Sequence, residues 1–187
     1  MNLKYHFILL LTALVLTPNA KGAETIYLYK GTFSRTLNIE ELNEFKRTKI
    51  PSTKLKSLLM ITNQKEKELH KILSYKIEVP LKTSSRLMNS KIGEVFLSRL
   101  SKIIHPNKIL NKNISIKALR SGIILSSYKN NQKINLIDFF KAYPNKNIAI
   151  NLNALTKTLQ KAESIKELIE FYSNSPFKKL KDGRSST

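Results

Sequence analysis

Histidine, serine and acidic side chains are the parts from which most hydrolytic sites are assembled, and this sequence sets few of them up for that work. Beyond the first 22 residues it holds two histidines, His70 and His105, and two aspartates, Asp138 and Asp182. A serine triad would have to take its base from one of those imidazoles and its acid from Asp138 or a glutamate. Serine is abundant, yet none stands in the glycine-flanked arrangement that exposes a nucleophile on a sharp strand-to-helix turn. Ser121 precedes Gly122 inside an expected helix, where the glycine suits close helix packing. Glu40, Glu41 and Glu44 could serve as the paired carboxylates of glycoside hydrolysis, but they lie at the start of an expected helix, where carboxylates meet its positive end. His70 falls mid-helix between Lys67 and Lys71. His105 is expected to close a helix, where a cation suits the negative end.

Other chemistries are excluded more firmly. With no cysteine there is no disulfide, thiol nucleophile or thiolate metal site. Five glycines serve the whole chain, too dispersed for a phosphate-cradling loop or a dinucleotide fingerprint. The reading is therefore of no catalytic, cofactor-binding or metal-ligating residues. Tyr27, Tyr29 and Phe33 form a possible aromatic ridge for a sugar or lipid edge, although alternation along a strand turns about half of such rings inward.

The elements that would position these residues follow from periodicity. Residues 25–30 alternate, Gly31-Thr32 turns, and residues 33–37 run extended again, which is a hairpin. Asn38 caps a helix with Ile39, Leu42 and Phe45 inward. Pro51-Ser52 starts a second helix on Leu55, Leu58 and Leu59, and Asn63 is expected to cap a third on Leu69, Ile72 and Leu73. Pro80 begins a further turn. Residues 89–104 read as the strongest helix, with Ile92, Val95, Phe96, Leu100 and Ile103 inside, ended by His105-Pro106. Residues 115–128 bury Ile116, Leu119, Ile123 and Ile124. A short helix over 136–142 stops at Tyr143-Pro144, residues 147–151 form a third strand able to join the hairpin, and Leu155, Leu159, Ala162, Leu168, Ile169 and Tyr172 stripe a final helix. The expected fold is α+β, mostly α: about seven helices and a small sheet made by the N-terminal hairpin and one later strand.

Charge and hydropathy bear on location. Residues 1–22 read as a secretory signal: Lys4, the apolar run FILLLTALVL, then a small-residue exit at Ala20-Lys21-Gly22 with cleavage before Ala23. The apolar run is too short to span a bilayer. Residues 23–172 are expected to form one mainly helical domain, and 173–187 a flexible basic tail. Net charge is +20, concentrated in residues 46–136. Such a field draws polyanions or an anionic membrane face. Twenty-seven of the 33 basic residues are lysine, as an AT-rich genome also produces. Scarce arginine and export disfavour nucleic acid.

The segment AETIYLYKGTFSRTLNIEELNEF after an export signal resembles the start of a cyanobacterial domain of unknown function that forms the N-terminal part of larger predicted α/β hydrolases. The matching positions there include Gly31, Phe33, Arg35, Leu42 and Phe45. The resemblance continues through Gly93, Glu94 and Leu97, through Leu119 and Arg120, and through Phe140, Pro144, Ile148 and Ile150. Gly31, Arg35, Gly93, Arg120 and Pro144 are accordingly the candidate motif positions, with a buried salt bridge expected for Arg35 and for Arg120. Relatives carry their serine elbow in a separate downstream domain, which is expected to be missing here, and they tend to place an aspartate where this chain has Asn151.

The resemblance implies an exported accessory domain, in the periplasm or a thylakoid lumen. Its expected partner is a separate hydrolase chain or a cell-envelope component. Two alternatives are an electrostatic binder of anionic lipid or envelope polymer through residues 46–136, and a hydrolase with a non-standard site built on Ser121 and His105.

Overall fold

The computed structural model describes residues 22–161. Its first element is the hairpin, β1 (Thr25–Lys30) and β2 (Phe33–Asn38), paired antiparallel with Thr25 opposite Asn38 and Lys30 opposite Phe33. Gly31 turns the corner at φ +59, a conformation that costs glycine nothing and a β-branched residue a good deal. Ile26, Leu28 and Leu37 point into the core; Tyr27 and Tyr29 take the other face and stay half-buried.

Three helices follow. In α1 (Ile39–Thr48) Asn38 accepts from the Glu40 N–H while Glu41 takes the Asn38 N–H, a reciprocal cap that satisfies donors at both positions. The Ser52 hydroxyl caps α2 (Thr53–Thr62) and donates onward to Glu41, tying the starts of the two helices together. Asn63 ends α2 instead of starting the next helix. It sits at φ 52 with its N–H on the carbonyls of the last turn, since asparagine tolerates the left-handed region better than most residues. Lys65 therefore precedes α3 (Glu66–Ser74) without a side-chain cap. Leu73 is fully buried there, whereas Ile72 is exposed.

After the short strand β3 (Ile77–Glu78) come α4 (Leu81–Met88) and α5 (Lys91–Leu100). The long helix expected over 89–104 is thus cut at both ends. Residues 101–103 turn, and Ile104 instead opens β4 (Ile104–Pro106), because Pro106 bars its predecessor from helical geometry and the β-branched Ile104 suits extended backbone. The inward face of α5 also differs: Leu97 is fully buried and Gly93 faces inward, while Ile92 and Val95 are 66% and 54% exposed. Close approach decides this. A Cβ on Gly93 would lie 1.9 Å from the Leu87 carbonyl oxygen, so only a glycine face can seat α5 against the end of α4.

The helix α6 (Lys112–Lys129), capped by Asn111, is the longest of the described elements and packs against α4, α5, α7 and β4. Leu119 is wholly buried on it, and Gly122 lets the Phe139 ring come to 3.0 Å of where a Cβ would stand. Strand β5 (Lys133–Ile134) pairs with β3 in a two-stranded sheet. Then α7 (Leu136–Ala142), capped reciprocally by Asn135 and Asp138, delivers Phe139, Phe140 and the buried Tyr143 to the core. Strand β6 (Asn147–Asn151) runs parallel to β1, and β4 runs antiparallel to β6, so the main sheet has the order β2-β1-β6-β4. Asn151 accepts from the Ala154 N–H at the start of α8 (Leu152–Lys161), which packs along β1 and β6. The architecture is α+β and mostly α, with eight helices among the described residues. The rest of the expected final helix, the basic tail and residues 1–21 lie outside the described residues.

Candidate functional site

His70, His105 and Asp138, on which a serine triad would rest, each have a structural partner. In the sheet, His105 Nδ1–H donates to the Pro106 carbonyl at 3.0 Å, and Nε2 accepts from the Tyr29 hydroxyl at 2.9 Å. The two rings meet edge to face at 5.8 Å. His105 thus stands in a strand, 7% exposed, and caps no helix. On α3, His70 Nε2 donates to the Lys46 carbonyl at 3.0 Å and its ring sits edge-on to Phe45. The Ser74 hydroxyl is 3.4 Å from the same nitrogen. A nitrogen already giving its proton to a carbonyl cannot take one from serine, so this pair is not an activated nucleophile.

Asp138 and the three glutamates of α1 are similarly engaged. Asp138 accepts from the Asn135 N–H at 3.0 Å, Glu41 completes the α1 cap, and Glu44 pairs with Arg47 at 2.9 Å on exposed surface. Glu40 accepts from Asn43 and from Lys141 of α7, and these two contacts hold its carboxyl below the ordinary glutamate range. Glu66 and His70 stand four apart on α3, a spacing that suits metal, but among the described residues no group of three or more such side chains is placed to hold an ion. Nor is any described helix long and apolar enough to cross a membrane.

The five motif positions do not converge on one point. Gly31 and Arg35 belong to the hairpin. Arg35 forms no salt bridge with any described residue; it is exposed, donates to the Ser34 carbonyl at 3.1 Å and lies 4.8 Å over the Phe33 ring. Pro144 is exposed just after α7, where it prevents further helix. Gly93 and Arg120, however, meet at the end of α4. Gly93 lies against Leu87 and Met88, and Arg120 Nε donates to the Met88 carbonyl at 2.8 Å. A cation there complements the negative end of α4. Arg120 makes no ion pair with any described residue, so its expected salt bridge is replaced by this carbonyl contact.

Arg120 also lines an open concavity of about 550 Å³ between α4 and α6. The two helices run antiparallel: the Leu81 N–H reaches Gln132, and the Ser127 hydroxyl donates to the Val79 carbonyl, at the opposite end from Arg120 and Met88. Asn89, Arg120 and Ser121 make one end polar. Leu81, Ile124 and Leu125 continue the wall, and Tyr128, 69% exposed, closes the far end. Residues 120, 121, 124, 125 and 128 form one stripe of α6, of which the sequence pattern assigned only Ile124 to the core.

A family described as alpha/beta hydrolase of unknown function (DUF1400) matches residues 22–151, more than half of the chain. The chain belongs to this family. Comparison with the curated proteins and with the solved structures gives no match. The matched span of this DUF1400 member covers the main sheet and seven of the described helices, including both walls of the concavity.

Proposed function

We propose that this DUF1400 member is an exported accessory domain that binds a separate hydrolase chain or a cell-envelope component and breaks no bond itself. One observation carries the reading: His70, His105 and Asp138, from which a triad would be built, are each committed to structural hydrogen bonds. Export is supported by the signal-like residues 1–22 and by the setting of Ala23, whose N–H donates to the Phe140 carbonyl at 3.3 Å. Cleavage before Ala23 would leave an ammonium at that carbonyl, in the last turn of α7, where positive charge is favoured.

An esterase panel on the purified chain, with Ser121→Ala and His105→Ala as controls, tests the absence of catalysis. No turnover is expected, and turnover abolished by either substitution would overturn the proposal. Pull-down from a periplasmic extract is expected to recover a hydrolase chain or envelope component; recovery at background level alone counts against it.

A further inference from the structure

We propose that the concavity between α4 and α6 binds an anionic amphiphile, a single medium-length acyl chain ending in a carboxylate or phosphate, with the head group at Arg120. The proposal rests on the accessory-domain reading and names the ligand of its site.

Charge supplies the first argument. The two helices carry Lys82, Arg86, Lys112, Lys117, Arg120 and Lys129 and no acidic residue at all. Arg120 spends only Nε, on Met88. Its Nη groups bond to no described residue, so a planar fork that suits carboxylate or phosphate is held in place by packing yet left open. Ser121 and the second amide N–H of Asn89, whose first goes to the Ser85 carbonyl at 2.8 Å, stand at the same end of the groove and add donors there.

Polarity along the groove supplies the second. Away from Arg120 the lining turns apolar, through Ile124, Leu125 and Leu81 to the Tyr128 ring. The α6 stretch from 120 to 128 is about 12 Å long, which suits one acyl chain laid along it. The volume falls within the range of small-molecule sites. A solvated surface needs no such order, with its donors at one end and its exposed leucine and tyrosine at the other.

The test is calorimetric titration of the full chain with monomeric sodium decanoate, decyl phosphate and decanol. Both anions are expected to bind saturably, with decanol roughly tenfold or more weaker. Arg120→Gln keeps an amide able to donate to Met88 and should weaken both anions about tenfold while leaving decanol unchanged. Leu125→Asp, at a 36%-exposed position, should abolish binding of all three; melting curves confirm that each variant is folded. A preference for carboxylate points to free fatty acids as the source, and one for phosphate to lysophospholipids.

Absence of saturation overturns the proposal, as does equal affinity for decanol, or anion affinity untouched by Arg120→Gln. Binding to phosphatidylglycerol vesicles without binding to the monomeric compounds also overturns it, in favour of a membrane surface. Should titration fail while the pull-down still recovers a hydrolase, the ligand class falls and the accessory-domain reading stands.

Discussion

The outer face of the sheet and the groove between α4 and α6 both carry polar groups beside aromatic ones, and they treat them in opposite ways. On the sheet, Tyr29, His105 and the Pro106 carbonyl form a closed chain of hydrogen bonds, nearly sealed from solvent at the imidazole. In the groove, Arg120 is anchored through one nitrogen and its remaining donors face no protein partner among the described residues. A satisfied network specifies a fold, because leaving any member unpaired in a low-dielectric setting is costly. An anchored but incompletely paired cation is available to a ligand. The difference separates His105, a tempting catalytic base in the sequence, from Arg120, which the sequence suggested as a salt-bridge partner.

The comparison can be broken most severely at the joint that supports the groove. Gly93→Ala would drive a Cβ into the Leu87 carbonyl and should cost more than about 3 kcal/mol, read from the denaturant midpoint. A loss below about 1 kcal/mol would mean that α4 and α5 can separate without consequence. On the sheet, His105→Ala should cost about 2–3 kcal/mol and Tyr29→Phe about 1 kcal/mol by chemical denaturation, because the first removes a buried ring together with both its hydrogen bonds, although the Pro106 carbonyl keeps the Ile109 N–H, and the second removes one bond. Equal costs would show that the network is not closed through the imidazole.

Tyr143 offers a gain. It is wholly buried, its hydroxyl has no hydrogen-bond partner among the described residues, and burial pushes its pKa well above the usual tyrosine value. Tyr143→Phe is expected to raise stability by about 1 kcal/mol in the same measurement, since no bond is lost and an unmet desolvation cost is removed.

The smallest effect lies at Glu40, whose carboxyl pKa is lowered by Asn43 and Lys141. A depressed carboxylate contributes stability above its unfolded pKa and loses it as pH falls through the folded value. The exposed Lys141 pair limits that contribution to under about 1 kcal/mol. The wild-type advantage over Glu40→Gln should therefore shrink as pH drops below the ordinary glutamate range. An advantage that is unchanged at acid pH would remove the carboxylate from the account.

Much of this was legible locally. The hairpin at Gly31, the Asn38 and Ser52 caps, the short helix ending at Tyr143 and the strand over 147–151 all follow from signals that act within a few residues, such as turn geometry, capping and alternation. Where contacts over long sequence distance decide, the local signal misleads. Ile92 and Val95 have helical spacing but lie outside, because Gly93 is the face that can approach α4. Asn63 has the chemistry of either cap, and the left-handed backbone at the end of α2 selects one. His105 before proline marks a helix end, yet the free edge of β6 recruits that segment as a strand.

By itself, then, the sequence determined the α+β class, the positions of most elements, the missing cysteines and glycine loops, and the basic surplus, since these depend on residue type and near neighbours. Only the tertiary structure decided that His105 is spent on Tyr29, that Arg120 holds the end of α4 with donors to spare, and that α4 and α6 leave a groove polar at one end. Those facts join residues some 30 to 80 positions apart, whose meeting is set by how the helices and the sheet pack and by no pattern along the chain.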